Sequence, residues 1–166
     1  MKRFVRDVIC LALILVPIGT RAQEMPALVT RLETVFGKEE PKWKLERPYV
    51  QLNPPVMHLK SAQGDALIYV FIMDSPKSAG EAFEGNTNAF GNTIGARGGK
   101  STLPKFGDEN YMFTGFTASG TTSIHFRQGN IYIEVIAPTR VSAKRFARHV
   151  MDQILASEKM QAALHH

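Results

Sequence analysis

Apolar side chains recur at helical spacing near both ends of this chain and alternate in between. At residues 25–36, Met25, Leu28, Val29, Leu32, Val35 and Phe36 fall on one stripe, with Pro26 suited to a first turn and Gly37 to a stop. At 141–159 the pattern is stronger. Phe146, Ala147, Val150, Met151, Ile154 and Leu155 share a stripe, and Lys144, Arg145, Arg148, Asp152 and Glu158 lie largely off it. A third helix is predicted after Asp74 and Ser75, which offer capping oxygens, with Pro76 as opener and Ala79, Ala82, Phe83 and Phe90 as its inner face. Gly80 and Gly85 weaken it.

Alternation predicts strands at 56–60 and 65–73, joined by a turn at Ser61-Ala62-Gln63-Gly64. In the second, Ala66, Ile68, Val70 and Ile72 form one set and Leu67, Tyr69, Phe71 and Met73 the other. A strand apolar on both sides belongs at the centre of a sheet with each face at least partly covered. Three more strands follow at 110–116, 121–128 and 131–137, the last two joined by Gly129-Asn130, a favoured two-residue turn. That turn fixes a register. Phe126 faces Ile133 and Ile124 faces Val135 on the core side, while His125 faces Glu134 and Arg127 faces Tyr132 on the other.

Two stretches fit neither period. Residues 38–55 are broken by Pro41, Pro48, Pro54 and Pro55, with Trp43, Leu45, Tyr49, Val50 and Leu52 as anchors, and predict an irregular or edge-strand segment along the core. Residues 91–102 read as a Gly-rich loop. The order α-β-β-α-β-β-β-α implies an α+β domain: a mostly antiparallel sheet of about five strands with helices packed on it.

Ahead of this body stands a segment of another kind. Lys2, Arg3 and Arg6 precede an uncharged apolar run, Val8 to Gly19, and Thr20-Arg21-Ala22 puts small residues at the −3 and −1 positions of a cut before Gln23. A run of about 12 residues suits a secretory signal and is short for a spanning helix. Residues 1–22 are therefore expected to be a cleavable Sec signal and 23–166 a single domain in the periplasm or outside the cell. Four of the 20 basic residues and one of the 15 acidic ones lie in that leader, so the remaining 144 residues carry 16 against 14, a net charge of +2. That balance argues against nucleic-acid binding, and Lys42-Trp43-Lys44 is too short a basic stretch to reverse it. Cys10, the only cysteine, leaves with the leader, so disulfides and thiol chemistry are excluded from the mature chain. No stable membrane anchor is expected after cleavage.

Phe106-Gly107-Asp108-Glu109-Asn110-Tyr111 ahead of a strand and Phe126-Arg127-Gln128-Gly129-Asn130 at a hairpin, taken with the element order over residues 25–158, resemble small exported bacterial proteins, some of which are similar to the PsbP/Mog1-like α/β sandwich. The resemblance implies a fold and an exported life. It brings no catalytic residues with it.

Candidate chemistry is sparse. Gly95-Ala96-Arg97-Gly98-Gly99-Lys100-Ser101 looks like a phosphate loop, but Ile94 stands where a Walker motif needs glycine, and Pro104 follows where a helix should open. Asp108 and Glu109 are the best carboxylate pair. As neighbours in extended chain they should point apart, and behind Gly107 they suit a turn. Glu81 and Glu84 share a solvated helix face. His125 opposite Glu134 is the most chemical pair, since a carboxylate in contact would orient the imidazole and raise its pKa. His58 stands alone on its strand, His149 lies near Arg145 and Arg148, His165 and His166 end the chain, and none has the spacing of a metal ligand pair. Trp43, Tyr49, Tyr111, Phe113, Phe116 and Tyr132 offer either core or the lining of a groove, which the Gly115-Phe116 and Ser119-Gly120 region would open.

No cofactor or metal is expected. The expected function is that of a non-catalytic exported domain binding an envelope partner or a small ligand. The alternatives are an envelope hydrolase with His125 as base, Glu134 orienting it and Asp108 or Glu109 as acid, and a scaffold that uses a sheet edge or the 38–55 segment.

Overall fold

The computed structural model describes residues 21–49, 56–94, 99–104, 106–115 and 120–164. The expected signal segment lies outside these except for Arg21 and Ala22, which already belong to the first helix. Parts of three other predicted features also lie outside: 50–55, 95–98 and 116–119.

The elements are α1 (Arg21–Glu39), β1 (Lys44–Tyr49), β2 (Val56–Ser61), β3 (Gly64–Ile72), α2 (Pro76–Ile94), β4 (Gly99–Ser101), β5 (Glu109–Thr114), β6 (Thr122–Gln128), β7 (Ile131–Ala137) and α3 (Arg140–Leu164). All seven strands form one antiparallel sheet in the order β1-β2-β3-β7-β6-β5-β4. The α+β class and the predicted run of elements hold, with two strands added at the edges. β1 is the edge strand expected within 38–55. Its register slips between Glu46 and Tyr49, where Pro48 has no N–H to give, which an edge tolerates. β4 takes three residues from the stretch read as a Gly-rich loop, while α2 runs on to Ile94 at that loop's start.

The predicted hairpin register is the observed one. Phe126 pairs with Ile133, Ile124 with Val135, His125 with Glu134 and Arg127 with Tyr132 across the Gly129 turn, where φ is 56°. Asn130 ties the turn to the end of β3: its side-chain amide donates to the Met73 carbonyl at 3.0 Å, and its own carbonyl accepts from the Met73 N–H at 2.9 Å.

One face of the sheet carries Met57, Leu59, Ala66, Ile68, Val70, Ile124, Phe126, Ile133 and Val135, all fully buried beneath α1 and α3. α3 presents Phe146, whose ring sits edge-on to Phe36 of α1 at 5.3 Å and to Trp43 at 4.9 Å. The last residue of the predicted stripe is displaced. Leu155 is exposed, while Ala143, one turn before Ala147, is buried. α3 starts in a reciprocal cap: Ser142 N–H donates to Thr139 Oγ1 at 3.1 Å and Thr139 N–H to Ser142 Oγ at 3.3 Å.

α2 lies on the opposite face, over β6 and β7. Ser75 Oγ caps it by accepting from the Ser78 N–H at 3.1 Å, and Ala79, Phe83 and Thr87 are buried against the sheet. Thr87 feeds its hydroxyl back to the Phe83 carbonyl at 2.7 Å, so its oxygen is satisfied within the helix. The centre of the sheet is therefore β7, with β3 beside it. Of the inner set of β3, Ala66, Ile68 and Val70 are fully buried and Ile72 partly, and the outer set, Leu67, Tyr69 and Phe71, is half-buried because α2 covers β6 and β7.

Candidate functional site

The pairing registers lay out the α2 side of the sheet as rows. One row runs Tyr69, Glu134, His125, Tyr111, and the next runs Phe71, Tyr132, Arg127, Glu109. His125 and Glu134 are side by side, as the sequence predicts, but they are not hydrogen-bonded to each other. His125 Nε2 is 3.8 Å from Glu134 Oε1, while its hydrogen bonds go elsewhere: Nδ1 to the Tyr132 hydroxyl at 2.8 Å and Nε2 to Ser123 Oγ at 2.9 Å. Phe90 and Phe113 close over the ring at 4.8 and 5.3 Å, leaving it 1% exposed.

The predicted rise in the His125 pKa is reversed. Burial lowers it to about 4, because an imidazolium here would lose its water without gaining a hydrogen-bonded carboxylate. The same burial raises Glu134 to about 7. It also pushes the Tyr132 and Tyr69 phenols up, helped in both by the neighbouring Glu134 charge. Between two hydroxyls the neutral imidazole can donate from one nitrogen and accept at the other, so both ring positions are occupied.

Asp108 and Glu109 differ from expectation in a second way. They do not point apart, since Asp108 precedes the strand that Glu109 begins. Both reach one guanidinium: Arg127 Nη1 donates to Asp108 Oδ2 at 3.1 Å and Nη2 to Glu109 Oε1 at 2.9 Å. The turn role expected of Asp108 is present as well, because its Oδ2 accepts the Gly129 N–H at 2.9 Å. Gly107 makes this closure possible. Its φ is +64°, and a Cβ there would lie 2.5 Å from the Arg127 carbonyl oxygen.

His58 and His149 are tied into the fold, and His165 and His166 lie outside the described residues. His58 does not stand alone: its Nδ1 lies 3.0 Å from Glu46 and its Nε2 3.1 Å from Asp65. Lys60 also reaches Glu46, at 2.7 Å, and holds that carboxyl below its ordinary pKa. His149 meets the buried Glu40 at 3.0 Å beside Arg145, fastening the end of α1 to α3. Among the described residues, no group of three or more His, Cys, Asp or Glu is placed to hold a metal ion, and no helix is long and apolar enough to cross a membrane.

An open groove of about 540 Å³ lies between α2 and the 102–111 segment. Glu84, Thr87 and Asn88 line one wall, Thr102, Asp108 and Glu109 the other, and Phe83 stacks on Tyr111 with ring centres 5.6 Å apart. Asn110 also borders it, but its amide is spent on the Leu103 and Phe106 carbonyls at 3.0 and 2.6 Å. Of the aromatics offered as a groove lining, Tyr111 lies here, whereas Trp43, Phe113 and Tyr132 are core. Sequence reasoning took Glu84 as part of a solvated helix face and did not single out Arg127, Asn88 or Thr102 as site residues. Arg127 alone left a signal, because the hairpin register already placed it on the sheet face of His125.

No family model matches the chain. No curated protein matches it either. Among solved structures it is similar to a GTP-binding regulator from Thermotoga maritima, at 13% identity and a TM-score of 0.48, over 78% of this chain and 85% of that one.

Proposed function

We propose that this chain is an exported, non-catalytic domain that binds a small polar ligand in the groove between α2 and β5. The groove itself carries the reading: among the described residues it is an open feature lined by hydroxyl, amide and carboxylate side chains from two separate segments. The hydrolase alternative draws no comparable support. His125 is enclosed with both nitrogens hydrogen-bonded, and the carboxylates assigned as acid are held on Arg127. Export is supported by the charged, apolar and small-residue pattern of residues 1–22, and the PsbP/Mog1-like likeness by the element order.

A thermal-shift screen of polar metabolites tests the binding half, because a ligand of the native state raises the midpoint. Hits should stabilise the wild type and lose their effect in Asn88→Trp, which fills the groove. Hits that act equally on both proteins, or no hits at all, would remove the groove from consideration. Alkaline phosphatase fused to the C-terminus tests export, since it should be active only if the leader carries the chain across a membrane.

A further inference from the structure

The exposed face of α3 has no place in the groove reading. From Arg140 to Met151 this helix carries Arg140, Lys144, Arg145 and Arg148 and not one carboxylate; the first is Asp152, a turn past Arg148. All four basic residues are exposed. Two are engaged at their inner edge, Arg145 with Glu40 and Arg148 over the Phe106 ring at 5.1 Å, while Arg140 and Lys144 enter no ion pair among the described residues. Val141, the most exposed large apolar residue described, lies in the same ridge at 71%.

The placement runs against helix electrostatics. The N-terminal turns of a helix carry positive potential and favour acidic side chains, yet the first turn of α3 has none. Arg145 and Arg148 have partners within the fold, but Arg140 and Lys144 have none among the described residues that would offset this placement. The exposed side chains of the ridge include no aromatic ring of the kind that stacks bases or anchors a protein interface. What it offers is a row of exposed cations, two held at their inner edge and two without partners among the described residues, with an apolar side chain among them, the complement of an extended anionic plane.

We propose that the outer face of α3 docks this domain on an anionic phospholipid surface through Arg140, Lys144, Arg145 and Arg148. The proposal is independent of the groove, and its failure would leave the groove reading untouched.

Sedimentation of the full chain with vesicles tests it, comparing pure phosphatidylcholine with equal parts phosphatidylcholine and phosphatidylglycerol. The leader, with Lys2, Arg3 and Arg6, adds the same amount to the gain on phosphatidylglycerol in every variant, so the quantity read is that gain above the one shown by a variant with all four α3 cations changed to glutamine. The Arg140→Gln/Lys144→Gln variant, altered at two exposed positions without ion pairs, should lose about tenfold or more of that gain, and added salt should erase it in the wild type. Lys38→Gln/Lys77→Gln removes the same charge from α1 and α2 and should leave the gain intact. No gain in the wild type, an unchanged gain in the α3 variant, or an equal loss in the control variant each overturns the proposal. Binding to polyglutamate without binding to vesicles does so too, and would make the occupant an acidic protein segment.

Discussion

The buried pair His125 and Glu134 makes a test of proton linkage at the scale of single residues. Glu134 has its folded pKa raised to about 7, so the stability it contributes is fully present below its unfolded pKa and is lost as pH rises through 7. His125 has its folded pKa lowered to about 4, so its contribution is present above the unfolded value of 6.5 and is lost as pH falls through 4. Between pH 4.5 and 6.5 the two slopes oppose each other. In that window the unfolded chain keeps one proton on the imidazole, and the folded chain keeps one on the carboxyl. Folding moves the proton between residues with no net uptake. The expected outcome is a wild-type stability nearly flat with pH from this pair. Glu134→Gln should then gain stability with rising pH, and His125→Asn should lose it, each by about 1.4 kcal/mol per pH unit. Urea titrations across the window measure all three slopes, and parallel curves for the two variants would show that the sites do not oppose one another.

At the scale of elements, α3 supplies a matched pair of substitutions. Phe146 is fully buried between Phe36 and Trp43, whereas Leu155 is 37% exposed. Phe146→Ala should cost about 3–5 kcal/mol in chemical denaturation, and Leu155→Ala less than about 1 kcal/mol. Similar costs would mean that α3 packs with a different face. This pair also marks how far the pattern of residues could be followed. Spacing alone put Phe146 and Leu155 on one stripe, because a stripe read from hydrophobicity has no edge until the neighbouring elements define one. The β6–β7 hairpin was fully legible, since a two-residue Gly-Asn turn leaves its strands one register. The contacts of Asp108 and Glu109 were not. They depend on β5 pairing with β6, which brings Glu109 opposite Arg127, and no local rule encodes that partnership. The His125 pKa failed for a related reason. The cross-strand neighbour was readable, but the lid of Phe90 and Phe113 that removes water comes from α2 and β5.

Over the whole molecule the two sides of the sheet are built unequally. α1 and α3 together cover a face most of whose inner residues from β2 to β6 are fully buried, with Ile72 and Ile131 partly so. α2 works alone on the other side, placing few large side chains on the sheet and holding Gly80, Gly85 and Gly91 within its length. Interior glycines cost a helix stability relative to alanine, and a helix with little buried area has little to offset that cost. The molecule should therefore open in stages. Native-state hydrogen exchange is expected to show α2 amides exchanging through a local opening well below the global free energy, while β3, β6, β7 and the middle of α3 exchange only on global unfolding. Equal protection of α2 and α3 would mean that the two layers separate together. The staging bears on the groove, because one of its walls is α2. A ligand bridging Asn88 and Thr102 can bind only when α2 is seated, so it must raise the protection of α2 more than that of α3. A compound that raises the midpoint without that selective effect is bound somewhere else on the domain.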